Sequence, residues 1–379
     1  MTKNKIDFII LGGGCSALSL INNIIKKKIN NYSFLIIEKR QKYNDDKSWC
    51  FWDKNNSQYK NLTESNWDSF SFNYKKKSNI LNSSIYKYFY IRSSVFYENS
   101  LKAISNNKNI TLKLNESILE VKNQDNNYLV ITNKAKYLSK NILDTRNNIN
   151  VFNKDSLLYQ CFLGYEIKLN RNTKYNPSKV LLMHDMQANK DFFSFSYILP
   201  LKKDHILYEF TTFSKSKLSK SYLEKKLKEK LKNSSIKISK IIKKEFGIIP
   251  MGFINKKNIP KKSNFFYAGT AAGAVRPSSG YAFFRIQQWA EKASIAIKKN
   301  GSFISHPKEK ILPHILDKIL LKIILNNPQN TPEIFFSFTK NISANSFVRF
   351  MSGNANVIDY FKVILAMPKK IILKCLIEK

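Results

Sequence analysis

Two glycine-rich strand-to-helix turns constrain this chain more than any other feature: one at Gly12, and one some 255 residues later in GTAAGAVRPSSGYAFFR, Gly269 to Arg285. A polypeptide with two backbone-lined anion sites so far apart is expected to fold both around one large dinucleotide. In the first, the apolar run Ile6 to Leu11 reads as a strand and passes through Gly12, Gly13 and Gly14 into a helical pattern. Glycine permits the tight turn and lets main-chain amides approach a pyrophosphate, while the helix N-terminus adds partial positive charge. Ala17 takes the third small position. SFLIIEKR reads as a second strand ending at Glu38, 24 residues past Gly14, where a carboxylate can accept from ribose hydroxyls. The distal segment reads as a short strand from Phe265 to Ala268, a loop of small residues and a long helix starting near Gly280. Its candidate cofactor contacts are Gly269, Gly273, Pro277, Ser279 and Gly280.

The formal charge of +37, from 64 basic and 27 acidic residues, would ordinarily suggest nucleic acid or an anionic membrane. Lys, Asn, Ile, Phe and Tyr are all over-used, however, while Gly, Pro, Ala and Arg are scarce, which is the residue set of AT-rich codons. The charge is therefore read as spread over the surface; basic runs such as NYKKK are solvated faces, and no nucleic-acid partner is expected. Cys15, Cys50, Cys161 and Cys375 lack CxxC spacing and no secretory leader precedes Ile6, so a reducing compartment is expected. The four histidines show no ligand spacing, and no metal is expected. No run of 18 apolar residues occurs, so no simple membrane-crossing helix is expected. Two lysine-flanked helical patterns, ILPHILDKILLKIILNN from Ile311 and VIDYFKVILAMPKKIILKCLIEK from Val357, suit either a lipid headgroup layer or packing on the main body.

The expected fold is α/β: a Rossmann-type FAD-binding domain of the flavoprotein hydroxylase kind, a mixed β-sheet substrate domain and C-terminal helices. Residues 1–155 are read as the first part of the nucleotide domain, 156–250 as the substrate sheet, 251–300 as the second nucleotide part and 301–379 as a helical, membrane-associating region. DDKSWCFWDK is expected in an irregular loop, and a lysine-rich amphipathic helix over Lys217 to Lys232. In the hydroxylase class a loop and helix like the distal element close over the flavin phosphates and the pyrimidine edge of its ring.

Over nearly its full length the chain resembles the lycopene cyclases, the carotenoid-ring-forming branch of that flavoprotein superfamily. The segments that carry the resemblance include GGGCSALSLI, DKSWCFW from Asp46, YQCFLGYEI from Tyr159, LYEFTTF from Leu207, FGIIPM from Phe246, the distal glycine loop and FVRFMSGNANVIDYFKVILAMP. The resemblance implies a lycopene β-cyclase acting on lycopene or a related acyclic carotenoid at a membrane. It implies FAD, active when reduced, with NAD(P)H as reductant, and a peripheral place on the cytoplasmic face of the inner membrane. Such a reaction adds a proton to a terminal double bond, closes a ring on the cation and loses a proton, which demands a carboxylic acid kept protonated by apolar surroundings. Glu209 is the candidate acid and Thr211 its neighbour; the family motif's second acid is replaced here by Phe210. Trp49 and Trp52 are candidates to face the polyene or the cation, and Tyr197, Tyr208, Glu166 and Asp185 to line the cavity, although His184 shifts the family's Met-Asp pair. Asp144 and Arg146 match a strand end beside the nucleotide. The alternative reading is an FAD-dependent monooxygenase or other oxidoreductase on an apolar substrate. Hydroxylases usually carry Asp after the first glycine of the distal loop, where this chain has Gly269-Thr270.

Overall fold

The computed structural model describes residues 5–170, 173, 176–307 and 309–377; the extremes of the expected 1–155 and 301–379 segments lie outside the described residues. Strand β1 (Lys5–Leu11) is apolar on both faces and sits inside a largely parallel sheet, with Phe8 to Leu11 inaccessible to solvent. Helix α1 (Cys15–Lys26) buries Leu18, Leu20, Ile21 and Ile24 and leads to β2 (Phe34–Ile37), parallel to β1. Strands β3 (Ser48–Lys54), β4 (Ser65–Trp67), β5 (Ser69–Tyr74), β6 (Lys77–Asn82) and β7 (Tyr86–Arg92) follow, then helix α2 (Ser93–Ser105). Strands β8 (Ile110–Lys113), β9 (Ile118–Gln124), β10 (Asn127–Thr132) and β11 (Lys136–Asp144) complete the first sheet in the order β8-β2-β1-β11-β10-β9.

The second sheet runs β16-β12-β15-β14-β13-β5-β6, formed by β12 (Leu158–Leu169), β13 (Lys179–Ala188), β14 (Phe192–Lys202), β15 (His205–Ser214) and β16 (Ile238–Met251) with the early β5 and β6. Helix α3 (Lys220–Lys232) covers one face of it with Leu223, Leu227 and Leu231. The chain then returns through β17 (Phe265–Tyr267), parallel to the last three residues of β11, into α4 (Phe283–Asn300). Helices α5 (Ile311–Asn326), α6 (Thr331–Asn341), α7 (Ala344–Ser352), α8 (Val357–Ala366) and α9 (Lys369–Ile377) close the chain.

Three local expectations change. SWCFWDK is not loop but strand β3, paired antiparallel with β7 from Ser48↔Arg92 to Lys54↔Tyr86, because its aromatic side chains fit a pleated, half-buried surface. The distal helix starts at Phe283 rather than near Gly280, whose φ of 70° is left-handed and cannot continue a right-handed turn. The lysine-rich helix starts at Lys220, where the Ser219 hydroxyl caps it by accepting from Tyr222 N at 3.2 Å.

The second glycine turn reaches the first because α4 packs along α1, with Gln287 Nε2 donating to Ser19 Oγ at 2.8 Å. At Gly269 a Cβ would stand 3.3 Å from Ser16 Oγ, so the two turns touch. A buried guanidinium fixes the loop from the other side: Arg276 meets Asp317 of α5 at 3.1 Å, donates to the Phe350 carbonyl at 2.8 Å and lies 4.2 Å from the Phe350 ring centroid.

Candidate active site

A single cavity of about 1380 Å³ joins both glycine turns to the cavity face of the second sheet, above the ~300–1,000 Å³ of ordinary ligand pockets and so large enough for more than one small molecule. At one end lie Gly12, Gly14, Gly269, Thr145 and Arg146. Gly12 has φ 91° and is held by a bond from its N–H to the Ile37 carbonyl at 2.8 Å. A Cβ on Gly14 would meet nothing within 4 Å, so the approach to the α1 N-terminus is open. The first intrahelical bond there runs from Leu18 N to the Gly14 carbonyl, leaving the preceding amides as donors for an anion.

Glu38 stands at the end of β2 with Oε2 accepting from Gly13 N at 2.7 Å and Oε1 from Arg40 N at 3.0 Å and Arg40 Nε at 3.2 Å. Burial works to raise its carboxyl pKa, but the Arg40 bonds and charge, with the Gly13 amide, outweigh it and leave the value lowered. Beside the distal loop, the buried Gln160 Oε1 and Ser279 Oγ have no protein partner among the described residues. Both residues, with Gly280, line the cavity. Unspent amides at one end and orphaned polar atoms at the other fit the phosphates and a polar ring edge of a bound dinucleotide.

Four expected cofactor contacts support this cradle from behind. Gly13 spends its N–H on Glu38 and its carbonyl on Tyr43, and a Cβ there would lie 2.4 Å from Tyr43 Oη. Ala17 is fully buried within the core against which α1 packs. Gly273, at φ 88°, gives its carbonyl to Arg285 Nη2 at 3.1 Å, and Pro277 is buried outside the cavity lining. Asp144 holds Arg146 at 2.7 Å, directing the guanidinium toward the nucleotide end.

Along the cavity, Trp49 stacks on Phe283 and Trp52 lies 4.5 Å from the Tyr88 ring and 5.7 Å from Tyr281. Tyr197 shares a hydroxyl bond of 2.9 Å with Tyr88. Glu209 projects into this aromatic enclosure from β15 at 8% exposure, accepting from Thr211 Oγ1 at 2.6 Å. Burial, with the Glu245 charge adding, pushes the Glu209 carboxyl up to about 8; the Thr211 bond opposes this. Beyond it the lining is apolar, with Phe195, Phe213, Phe335 and Phe338. It continues to Ile364 and Leu373, which are 40% and 58% exposed, so the apolar end opens at the surface among α5, α8 and α9.

Three expected cavity residues lie elsewhere. Tyr208 alternates to the α3 side of β15, where it is buried with its hydroxyl 3.1 Å from Ser196. Asp185 sits at φ 50° in a bulge of β13 that turns it outward onto Lys230 of α3. Glu166 shares Glu209's face of the sheet but lies two residues beyond Gly164, where Arg92 captures it at 2.8 Å.

Sequence reading missed Glu245, which lines the cavity at 6% exposure and accepts from Ser48 N at 2.9 Å and Ser48 Oγ at 2.6 Å. It also missed Gln160 and Tyr281, whose hydroxyl accepts from Trp52 N at 3.0 Å. The signal for Glu245 was available as a lone acid after the basic run KIIKK and directly before the FGIIPM segment.

The chain is similar across almost its whole length to solved flavoproteins. A flavoprotein/dehydrogenase from Cytophaga hutchinsonii superposes with a TM-score of 0.63 at 9% identity, covering 98% of this chain and 99% of that one. A flavin-dependent brominase gives 0.62 at 12% identity, covering 99% and 100%. The p-nitrophenol 4-monooxygenase of Pseudomonas putida DLL-E4 gives 0.55 at 12%, covering 98% and 97%. These likenesses establish the Rossmann-type FAD-binding fold expected from the sequence. No curated protein sequence matches the chain. The family described as lycopene cyclase protein matches residues 7–376, and the chain belongs to that family.

Proposed function

We propose that this protein is an FAD-dependent lycopene β-cyclase, converting acyclic carotenoid ends to β-rings without net oxidation. The observation that carries the reading is Glu209, a carboxyl whose pKa is raised to about 8, inside an apolar cavity continuous with a dinucleotide cradle. At neutral pH such a group is a carboxylic acid able to donate a proton. Its O–H breaks as a C–H bond forms at the terminal double bond; the next double bond closes the ring on the resulting cation, and a ring proton passes to a base, for which the Glu209 carboxylate just formed serves, as the new double bond forms. The faces of Trp52 and Tyr281 supply electron density to a cation in the same enclosure, and the phenylalanine walls exclude the water that would quench it. Gly12, Gly14, Gly269, Ser279 and Gln160 would hold FAD. Bound in reduced form, FAD would supply negative charge that stabilises a cation.

NAD(P)H is the proposed reductant, and the cytoplasmic face of the inner membrane the proposed location. Support for a membrane partner comes from the cavity mouth. On α8, whose Ile364 lines that end, Val357, Ile358 and Phe361 are 82%, 63% and 61% exposed, and Ile311 at the start of α5 is 81% exposed. Lysines 310, 362, 369 and 370 flank these faces in sequence. Among the described residues no helix is long and apolar enough to cross a membrane.

Expression in a lycopene-accumulating bacterium, with pigments separated chromatographically, tests the reading. A cyclic carotene is the expected product. Unchanged lycopene beside folded, flavin-containing protein would reject it and favour an oxidoreductase.

A further inference from the structure

Two of the buried carboxylates that line the cavity, Glu209 and Glu245, stand on its sheet wall, and the proposed reaction uses only one. Glu209 on β15 and Glu245 on β16 both pair with Gly164 of the intervening β12, so the two glutamates form one row across three strands. Tyr197 extends the row on β14. Their Cα atoms are thus separated by two strand spacings, roughly 10 Å. The position between them has no side chain: a Cβ on Gly164 would already lie 3.2 Å from Glu209 Cβ and 3.4 Å from its Cγ. Nothing on β12 therefore screens one carboxylate from the other.

Their surroundings differ. Glu209 has the Thr211 hydroxyl as its hydrogen-bond donor, whereas both oxygens of Glu245 are engaged by Ser48 of β3, and Lys243 Nζ lies 3.9 Å away. Two buried carboxylates with unequal donors divide into one acid and one anion. We infer that Glu245 is a positioning residue for the acid: its carboxyl, held at both oxygens by Ser48, faces Glu209 across the gap at Gly164 and disfavours a second negative charge on Glu209. The geometry supplies across three strands the second carboxylate that Phe210 removes from the adjacent position.

Every other group facing the pair is consistent with that division. Cys50 of β3 faces both, and burial pushes its thiol up to about 12, so it is neutral. Burial likewise raises Tyr90 of β7, Tyr88 of β7 and Tyr197, which remain phenols. The nearby charges beyond Ser48 are Lys243 and Asp45, paired with each other at 3.0 Å, and Arg92, which holds Asp45 at 2.7 Å. Burial is the largest effect on Glu245 and leaves its pKa raised; the Ser48 bonds and Lys243 oppose it, so Glu245 has donors and a cation that Glu209 lacks.

The inference rests on the cyclase reading for its consequence in turnover but not for its direct test. That test is an infrared titration of the Glu209 carboxyl C=O band in the full-length, flavin-loaded protein, the band being assigned by its loss in Glu209→Gln. The wild-type pair should titrate in two steps, the upper one near pH 8. Glu245→Gln should abolish the lower step and move the upper one down by about one pH unit, a tenfold change in the protonated-to-ionised ratio. Glu245→Asp should restore part of the shift. Ser48→Ala, which leaves the backbone donor in place, should move the lower step up and guard against misfolding of the first variant. An upper step unmoved in folded Glu245→Gln, or a lower step unmoved in Ser48→Ala, overturns the inference. If the protein cyclises carotenoids, the alkaline limb of its pH profile should follow the upper step. A protein that shows the infrared shifts but no cyclisation would reject the cyclase reading and leave the carboxylate pair standing.

Discussion

Glu166 and Glu209 lie on neighbouring strands, on one face of one sheet, at 6% and 8% exposure. Their sequence settings are alike too, each an acid in an aromatic and aliphatic strand, LGYEI and LYEFT. What separates them is the partner. Glu166 ends on Arg92, which also holds Asp45 at 2.7 Å and Glu64 at 2.8 Å, so a dense ionic cluster lies where β7 meets the sheet. Among the described residues Glu209 forms no ion pair and is left with one hydroxyl donor. Burial turns a carboxylate into an acid only where no cation answers its charge. One sheet face thus carries an ion-paired acid and, two positions along, one left without a cation.

The sharpest break between them should appear in turnover. Glu209→Gln keeps the shape of the side chain and removes its transferable proton, so cyclisation should fall by ~10²–10⁴-fold while flavin content is unchanged. Glu166→Gln should leave turnover largely intact in protein that folds. Pigment conversion and flavin absorbance measured on both variants decide this, and equal losses would erase the distinction.

Stability should divide them the other way. Arg92→Leu leaves Glu166, Glu64 and Asp45 without their guanidinium, a loss of about 3 kcal/mol in urea unfolding, at the low end for a broken buried pair because Arg92 keeps 19% exposure. Adding Glu166→Gln to Arg92→Leu should recover part of that loss, since the uncompensated buried charge is then gone. No cation of Glu209 exists to remove among the described residues, so a comparable cost has no counterpart there.

The pH dependence of stability isolates Glu209. Its pKa rises from 4.5 to about 8 on folding, so the folded chain binds the proton more tightly than the unfolded one. The stabilisation from protonated Glu209 is complete below pH 4.5 and is lost progressively as pH rises through 8. Glu209→Gln cannot ionise and escapes that loss. Its melting temperature relative to the parent protein should therefore climb between pH 5 and pH 9, and a difference that stays flat would place the raised pKa elsewhere.

The comparison also shows what a sequence can disclose. The glycine turns, Glu38 and Glu209 were legible because each depends on local chemistry: a positive φ, a strand end, an acid in an apolar run. The alternation that sends Phe210 to the α3 face also sends Tyr208 there, a step available from the strand pattern but not applied to it. Asp185 was not legible, since a bulge of β13 reverses its side, and neither was Glu166, whose fate depends on Arg92 arriving from a strand 74 residues earlier. Glu245 had a local sign, a lone acid between the lysine-rich first half of β16 and FGIIPM, but its partnership with Glu209 did not, because only the strand order β16-β12-β15 brings the two into line. Long-range pairing, not composition, decides which buried acids meet a cation.

The smallest effect expected tests the last contact Glu209 has. The Thr211 hydroxyl donates to its carboxyl at 2.6 Å and lowers its pKa, so Thr211→Val, close to isosteric, should let that pKa rise further. Because the acid works only while protonated, the alkaline limb of the pH profile should move to higher pH, by less than about one unit for a single hydrogen bond of ~1 kcal/mol. Thr212 provides the control on the opposite side of the strand: its hydroxyl donates to the Cys161 carbonyl at 3.1 Å, away from the acid. Thr212→Val should cost a similar ~1 kcal/mol of stability and leave the limb where it was. A limb that moves in both variants would mean that the sheet transmits a general loosening rather than a specific bond; a limb that moves only in Thr211→Val fixes Glu209 as the group whose ionisation ends activity.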